Sequence, residues 1–136
     1  MNLLLLKSEL VRDEGVRLKP YRCTAGKLTI GVGRNLEDRG ITTREAQMLL
    51  ENDIADVVLE LRAAIPWIDE LSDARQRVLV NMGFNLGVPG LLKFKNTLAM
   101  IRNHQYVEAS KAMLDSKWAK QVGDRATRLA KMMKDG

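Results

Sequence analysis

Two apolar rhythms alternate along the chain and divide it into elements. Leu3, Leu6 and Leu10 recur at helical intervals behind Asn2, a residue suited to capping, and predict a helix over 2–14. Glu14 follows Leu10 by four residues and Val11 by three, so it projects from the apolar side of that helix. Gly15 comes next, where a helix commonly ends. The rhythm then shortens. Leu28, Ile30 and Val32 alternate onto one face of a strand, leaving Thr29, Gly31 and Gly33 on the other. Tyr21–Cys23 and Lys27–Val32 flank the turn-like Thr24-Ala25-Gly26, the pattern of a hairpin.

Arg34 to Gly40 is polar and reads as a loop. Thr42-Thr43-Arg44-Glu45 has the form of a capping box. Leu50, Ile54, Val57, Val58, Leu61 and Ile65 then make a stripe that predicts a long helix up to Pro66. Ser72 or Asp73 opens the next helix. Its apolar residues spread over several faces, with Ala74, Val78, Leu79, Met82 and Leu86 on one side and Val80 and Phe84 elsewhere, which marks a buried central helix. Gly87-Val88-Pro89-Gly90 breaks the chain before a short turn of helix at Leu91–Lys95. Asn96 reads as the cap of a helix through Asn103, with Thr97 as a second cap residue. Further helices are predicted over Gln105–Asp115, as a short helix starting at Ser116-Lys117-Trp118, and from a capping Asp124 to the end. On the last of these Ala126, Leu129 and Met133 face inward, and Arg128, Lys131 and Lys134 form a solvated basic stripe.

Composition narrows the class but not the chemistry. A chain of 136 residues fits one domain with a sizeable core. A net charge of +5 favours an anionic partner: nucleic acid, a membrane surface or an anionic cell wall. The Leu3–Leu6 run is too short for a signal sequence, and nothing approaches a transmembrane span, so residence in the cytoplasm is expected.

Three side chains stand out as candidate chemistry. Glu14 faces the negative end of a helix dipole. Partial burial would add to that effect in favouring the neutral acid, which suits a proton donor; position alone favours the other reading, a solvated surface glutamate. Cys23 is the only cysteine, so no disulfide can form within the chain, and no His/Cys cluster suggests a metal. It is either a small buried hydrophobe or a thiol whose pKa is lowered by its cationic neighbours Arg22 and Lys27. Thr29 lies on a strand face that glycines clear of bulk, a mark of close ligand approach or of a simple bend. His104, the only histidine, reads as a solvated linker residue.

The run from Asp13 to Gly33 resembles the catalytic region of phage-type lysozymes, the family of the T-even phage lysozyme. That family carries Glu, eight residues, Asp or Cys, five residues, and Thr. Here Glu14 and Cys23 enclose eight residues, Cys23 and Thr29 enclose five, and the flanking Asp-Glu-Gly and Thr-Ile-Gly-Val-Gly also match. The resemblance runs through most of the chain. It departs after Gly33, where T-even relatives have a histidine and a longer insert with another helix, and this chain has Arg34 and passes quickly to the long helix.

The resemblance implies an α+β, mostly α, lysozyme-like fold. A small hairpin lobe (about 13–42) would be joined by a helix (about 43–65) to a larger helical lobe (about 66–136), packed with the N-terminal helix 2–14. It implies an endolysin that hydrolyses the β-1,4 bond between N-acetylmuramic acid and N-acetylglucosamine in peptidoglycan. Glu14 would be the general acid, and Cys23 and Thr29 would hold the attacking water. Phe84, in the groove-lining stretch Asn81–Gly87, together with Thr97 and Gly33, would contact substrate. Core packing is the other reading of Phe84, as capping is of Thr97. Arg125 would lie beside Glu14 and tune it, and Trp118 would pack near Asn85. A family substrate amide is replaced by Ala112. No metal or organic cofactor is needed. The expected partner is the peptidoglycan glycan strand, with no nucleic acid, no stable membrane association and a monomeric state. The protein would wait in the host cytoplasm until lysis and then reach the wall or periplasm. Two alternatives remain open: a lytic transglycosylase, in which Glu14 makes both proton transfers, and a non-enzymatic wall-binding relative.

Overall fold

The computed structural model describes all 136 residues. It is α+β and mostly α, as the apolar pattern predicts, with eight α-helices and a three-stranded antiparallel sheet. The chain divides into two compact units, Met1–Met48 and Leu49–Gly136.

The first unit begins with α1 (Leu3–Glu14), capped by Asn2, whose side chain accepts from the Leu5 N–H at 3.1 Å. Gly15 ends it at φ 73 and returns its N–H to the Val11 carbonyl. The sheet follows in the order β1 (Arg17–Arg22), β2 (Leu28–Gly31), β3 (Arg34–Asn35). β1 starts earlier than the hairpin pattern suggests. Its register with β2 slips between Arg17↔Gly31 and Tyr21↔Thr29, across the stretch that contains Pro20, a residue with no N–H to give the ladder.

β3 falls where a loop was expected. Gly31 and Gly33 both take φ 68, so the Gly-Val-Gly segment is a tight turn that sends the chain back along β2, pairing Ile30 with Arg34 and Thr29 with Asn35. The rest of the loop is held locally, with Asp38 N–H on Asn35 Oδ1 at 3.0 Å. The capping box then forms as read. Thr42 Oγ1 accepts from Glu45 N–H at 3.1 Å, and Glu45 Oε1 accepts from Thr42 N–H at 2.9 Å. It opens α2 (Thr43–Ala64), within which the boundary between the units falls.

The second unit holds the apolar core. α3 (Asp73–Leu86) starts at the Ser72 cap and buries Val78, Leu79, Met82 and Gly83, as its many-sided apolar pattern predicts. α4 (Val88–Leu92) comes three residues earlier than expected. Pro89 does not break it, because in a first turn the missing N–H has no partner to lose. α5 (Lys95–Arg102) starts at Phe94 rather than at an Asn96 cap, and Thr97 is buried inside it instead of capping it. Phe94 stands edge-on to Trp118 at 6.2 Å, and that packing fixes where the helix begins. α6 (Tyr106–Leu114), α7 (Lys117–Val122) and α8 (Asp124–Asp135) complete the unit. Gly123, at φ 57, precedes α8, so Asp124 lies in its first turn and does not cap it. The Ser110 hydroxyl donates to the Ala130 carbonyl at 2.9 Å and ties α6 to α8. Arg75 closes the end of α8 on the Met133 and Lys134 carbonyls, its guanidinium stacked 3.4 Å over the Tyr106 ring. His104 is exposed at positive φ, as a linker residue, but it has a partner in the Tyr106 hydroxyl at 2.8 Å. No helix is long and apolar enough to cross a membrane.

Candidate functional site

Within the first unit, α1 and the sheet set three candidate side chains. Glu14 is the last residue of α1, released from the helix by Gly15. It is exposed, not partly buried, because α1 buries no residue at all. Its carboxylate lies over the bare Cα of Gly33. A methyl group at that position would stand 3.0 Å from Glu14 Oε2 and 3.3 Å from Cδ. Gly33, expected among substrate contacts, is therefore first of all a neighbour of the acid.

Cys23 sits where β1 enters its turn. Its N–H donates to the Lys27 carbonyl at 3.0 Å, and its carbonyl accepts from the Gly26 N–H at 2.8 Å. Backbone hydrogen bonding by Lys27, and then by Ala25, is the main influence on the thiol. These donors, with the Thr29 hydroxyl, hold the thiol below its ordinary pKa despite some desolvation. The cations suggested by sequence do not supply this effect. Arg22 reaches the Gly26 carbonyl at 3.0 Å and Glu37 Oε1 at 3.1 Å, and Lys27 Nζ reaches Asp38 Oδ1 at 3.3 Å.

Thr29 is 3% exposed, the one buried residue of the sheet, on the face expected to be open. Its hydroxyl donates to the Lys27 carbonyl at 2.8 Å, and its influence on Cys23 is to lower the thiol pKa. It has one proton for the Lys27 carbonyl and the sulfur and serves one at a time.

Arg34 engages neither Glu14 nor Cys23. Its two terminal nitrogens lie 2.8 Å from the two carboxylate oxygens of Glu45, and Nη1 also reaches the Gly40 carbonyl at 3.3 Å. Arg34, then the Thr42 N–H and hydroxyl, pull the Glu45 carboxyl down to about 2. This clamp joins β3 directly to the first turn of α2.

In the second unit, Phe84 is 42% exposed and lines a cavity of about 620 Å³ with Asn81, Arg125, Leu129 and Met132. It is not a core residue. Arg125 Nε donates to Asn81 Oδ1 at 2.9 Å, so the amide of α3 fixes the guanidinium of α8 at the cavity wall. Trp118 is buried, and its indole N–H donates to Asn85 Oδ1 at 2.8 Å, the pairing the resemblance implies. Thr97 is buried at 7% exposure.

The family model described as phage lysozyme matches residues 11–134, a span that holds all of these positions. The chain belongs to the phage lysozyme family. Within it, the chain is 32% identical to an endolysin of Acyrthosiphon pisum secondary endosymbiont phage 1, over 90% of this chain and 84% of that protein. It is 29% identical to a probable T4-type lysozyme 1 of Dictyostelium discoideum, over 96% of this chain and 94% of that protein. It is also 31% identical to the pre-baseplate central spike protein Gp5 of Enterobacteria phage T4, where 92% of this chain covers 27% of the longer protein. The match to the Dictyostelium protein extends over 160 positions, more than the 136 residues here, so that relative carries residues this chain lacks.

Several groups that shape the site were missed in the sequence. The Lys27 and Ala25 amides that act on Cys23 are backbone, which every residue type carries. Glu45 was visible, but only as half of a capping box, and its second partner lies eleven residues upstream at Arg34. Asn81 carries no local signal of its role, since its partner Arg125 lies 44 residues away.

Proposed function

We propose that this protein is an endolysin that hydrolyses the β-1,4 bond between N-acetylmuramic acid and N-acetylglucosamine in peptidoglycan. The observation that carries the reading is the family match over residues 11–134, which contains Glu14 at the end of α1 and Cys23 and Thr29 on the hairpin that follows; hydrogen bonding at Cys23 also lowers the thiol pKa. A thiol is a poor base at neutral pH, since its ordinary pKa is about 8.5. Donors that stabilise the thiolate remove part of that handicap. Glu14, exposed at the end of α1, protonates the leaving oxygen. Water held by Cys23 and Thr29 attacks the sugar from the opposite face. This is the inverting arrangement, which needs roughly 6.5–9.5 Å between acid and base to admit the water.

The exposed Phe84 supplies an apolar face for a sugar ring, and Arg125 is a cation anchored by Asn81. Thr97 and Gly33 remain candidate substrate contacts in this reading. The net charge of +5 favours an anionic wall. The protein acts as a monomer on glycan strands, without a cofactor. It waits in the host cytoplasm and reaches the wall at lysis.

The test is mass spectrometry of purified peptidoglycan digested by the wild type and by Glu14→Gln. The expected result is saccharides with reducing ends from the wild type alone. Anhydro-sugar ends would replace hydrolysis by transglycosylation. Equal products from both proteins would remove Glu14 from the mechanism.

A further inference from the structure

Glu14 has no hydrogen-bond or ion-pair partner within its own unit, so nothing polar there holds it. What shapes its position is steric. The side chain leaves the last turn of α1 and comes to rest on Gly33, close enough that a Cβ would meet Oε2 at 3.0 Å, Cδ at 3.3 Å and Cγ at 3.5 Å. Three consecutive atoms of the acid thus run along the surface of one residue. Such a separation is tighter than an ordinary carbon contact and sits at the edge of repulsion. Gly33 also has φ 68, which the turn into β3 requires.

The other glycines with positive φ in this unit are different. A Cβ on Gly15, Gly26 or Gly31 would meet nothing within 4 Å, and one on Gly40 would only just touch the Leu36 carbonyl. Their backbones need glycine, but the space beside them does not. Gly33 needs glycine on both counts.

We infer that Gly33 is a positioning residue for the acid: its missing side chain forms the seat on which the Glu14 carboxylate rests. The inference builds on the reading of Glu14 as the proton donor and gives Gly33 a role that contact with sugar would not. A side chain at 33 would not unfold the protein, because the group it displaces is the far end of a flexible, exposed side chain. It would move the carboxylate instead. A displacement of about 1 Å at a reacting group costs on the order of 100-fold in rate.

The experiment is a double-mutant cycle between Gly33→Ala and Glu14→Asp, read as kcat and KM on purified glycan strands. Gly26→Ala serves as the control for left-handed backbone strain, since it has φ 76 and open space. Gly33→Ala is expected to lower kcat by tenfold to 100-fold with KM within twofold, and to lose no more thermal stability than Gly26→Ala. In the Glu14→Asp background, where the carboxylate is one methylene shorter and clear of the added methyl group, the same change is expected to cost less than threefold. Losses that multiply independently would overturn the inference, as would a Gly33→Ala effect confined to KM, the mark of a substrate contact. A Glu14→Gln enzyme with full activity would instead overturn the underlying reading, so the two failures are distinct.

Discussion

The carboxylate of Glu45 receives two guanidinium nitrogens of Arg34, each at 2.8 Å, while one of its oxygens also accepts the Thr42 N–H at 2.9 Å. One side chain therefore completes a helix cap and fastens β3 to it. The arrangement falls just after Gly33, so the short link between β3 and α2 is braced by a charge pair.

This brace gives a pH dependence of known sign. Glu45 is held at about 2 in the folded chain against an ordinary 4.5. A depressed carboxyl contributes stability that is full above the unfolded value and lost as pH falls toward the folded one. Comparing Tm for the wild type and Glu45→Gln from pH 7 to pH 2 should show a gap that is constant above about pH 5 and narrows between 4.5 and 2. A gap that widens on acidification would contradict the assignment. Arg34→Met should show the same pattern, since it removes the principal cause of the shift.

Cys23 should react as a thiolate at lower pH than an unstructured cysteine. The midpoint of its alkylation rate by iodoacetamide against pH is expected below the roughly 8.5 of a free thiol. Urea should restore the ordinary value, because the backbone hydrogen bonding that lowers it depends on the folded turn. Thr29→Val removes one of the donors and should move the midpoint partway up. Arg22→Gln should leave it nearly unchanged, because that cation is engaged with Glu37 and the Gly26 carbonyl.

Complete alkylation at Cys23 is expected to block cleavage while circular dichroism stays unchanged. Cys23 is only half-buried, in the turn between β1 and β2, so the reagent can reach it without unfolding the core of the second unit. Full activity after quantitative modification, checked by intact mass, would remove Cys23 from the catalytic set.

Trp118 joins a packing role to a polar one. It is 4% exposed, stands edge-on to Phe94, and its indole N–H reaches Asn85. Trp118→Leu should cost about 2–4 kcal/mol in urea unfolding, from the void left behind and the lost aromatic pair. Asn85→Ala should cost about 1 kcal/mol or less, since Asn85 is exposed but its loss leaves a buried indole donor short of a partner. A larger loss for Asn85→Ala than for Trp118→Leu would mean that the hydrogen bond outweighs the packing.

Much of this is legible in the sequence. The Leu3, Leu6 and Leu10 spacing with Asn2 and Gly15 gave α1 to within a residue at each end, and the Thr42–Glu45 box marked the start of α2. These features are local: a cap bonds an amide three residues away, and a helical stripe repeats every three or four, so sequence separation and spatial separation coincide. The Glu14, Cys23 and Thr29 spacing was readable for the same reason, since all three lie on one helix end and one hairpin. Where local rules failed, a packing partner had overruled them. Asn96 was a fair cap by type, but Phe94 against Trp118 started α5 earlier. Gly31 and Gly33 were read as relief on a strand, and their positive φ made a turn and a third strand.

The sequence by itself determined most of the helices, the hairpin, the family and the spacing of Glu14, Cys23 and Thr29. Only the tertiary structure decided what surrounds them. It shows that backbone amides, and not Arg22 or Lys27, act on the Cys23 sulfur, that Arg34 turns to Glu45, that Arg125 is fixed by Asn81, and that Glu14 rests on Gly33. The reason is physical. A backbone N–H is common to every residue but proline, a salt bridge is chosen among many charges by position alone, and the absence of a side chain matters only when another group comes to occupy the space.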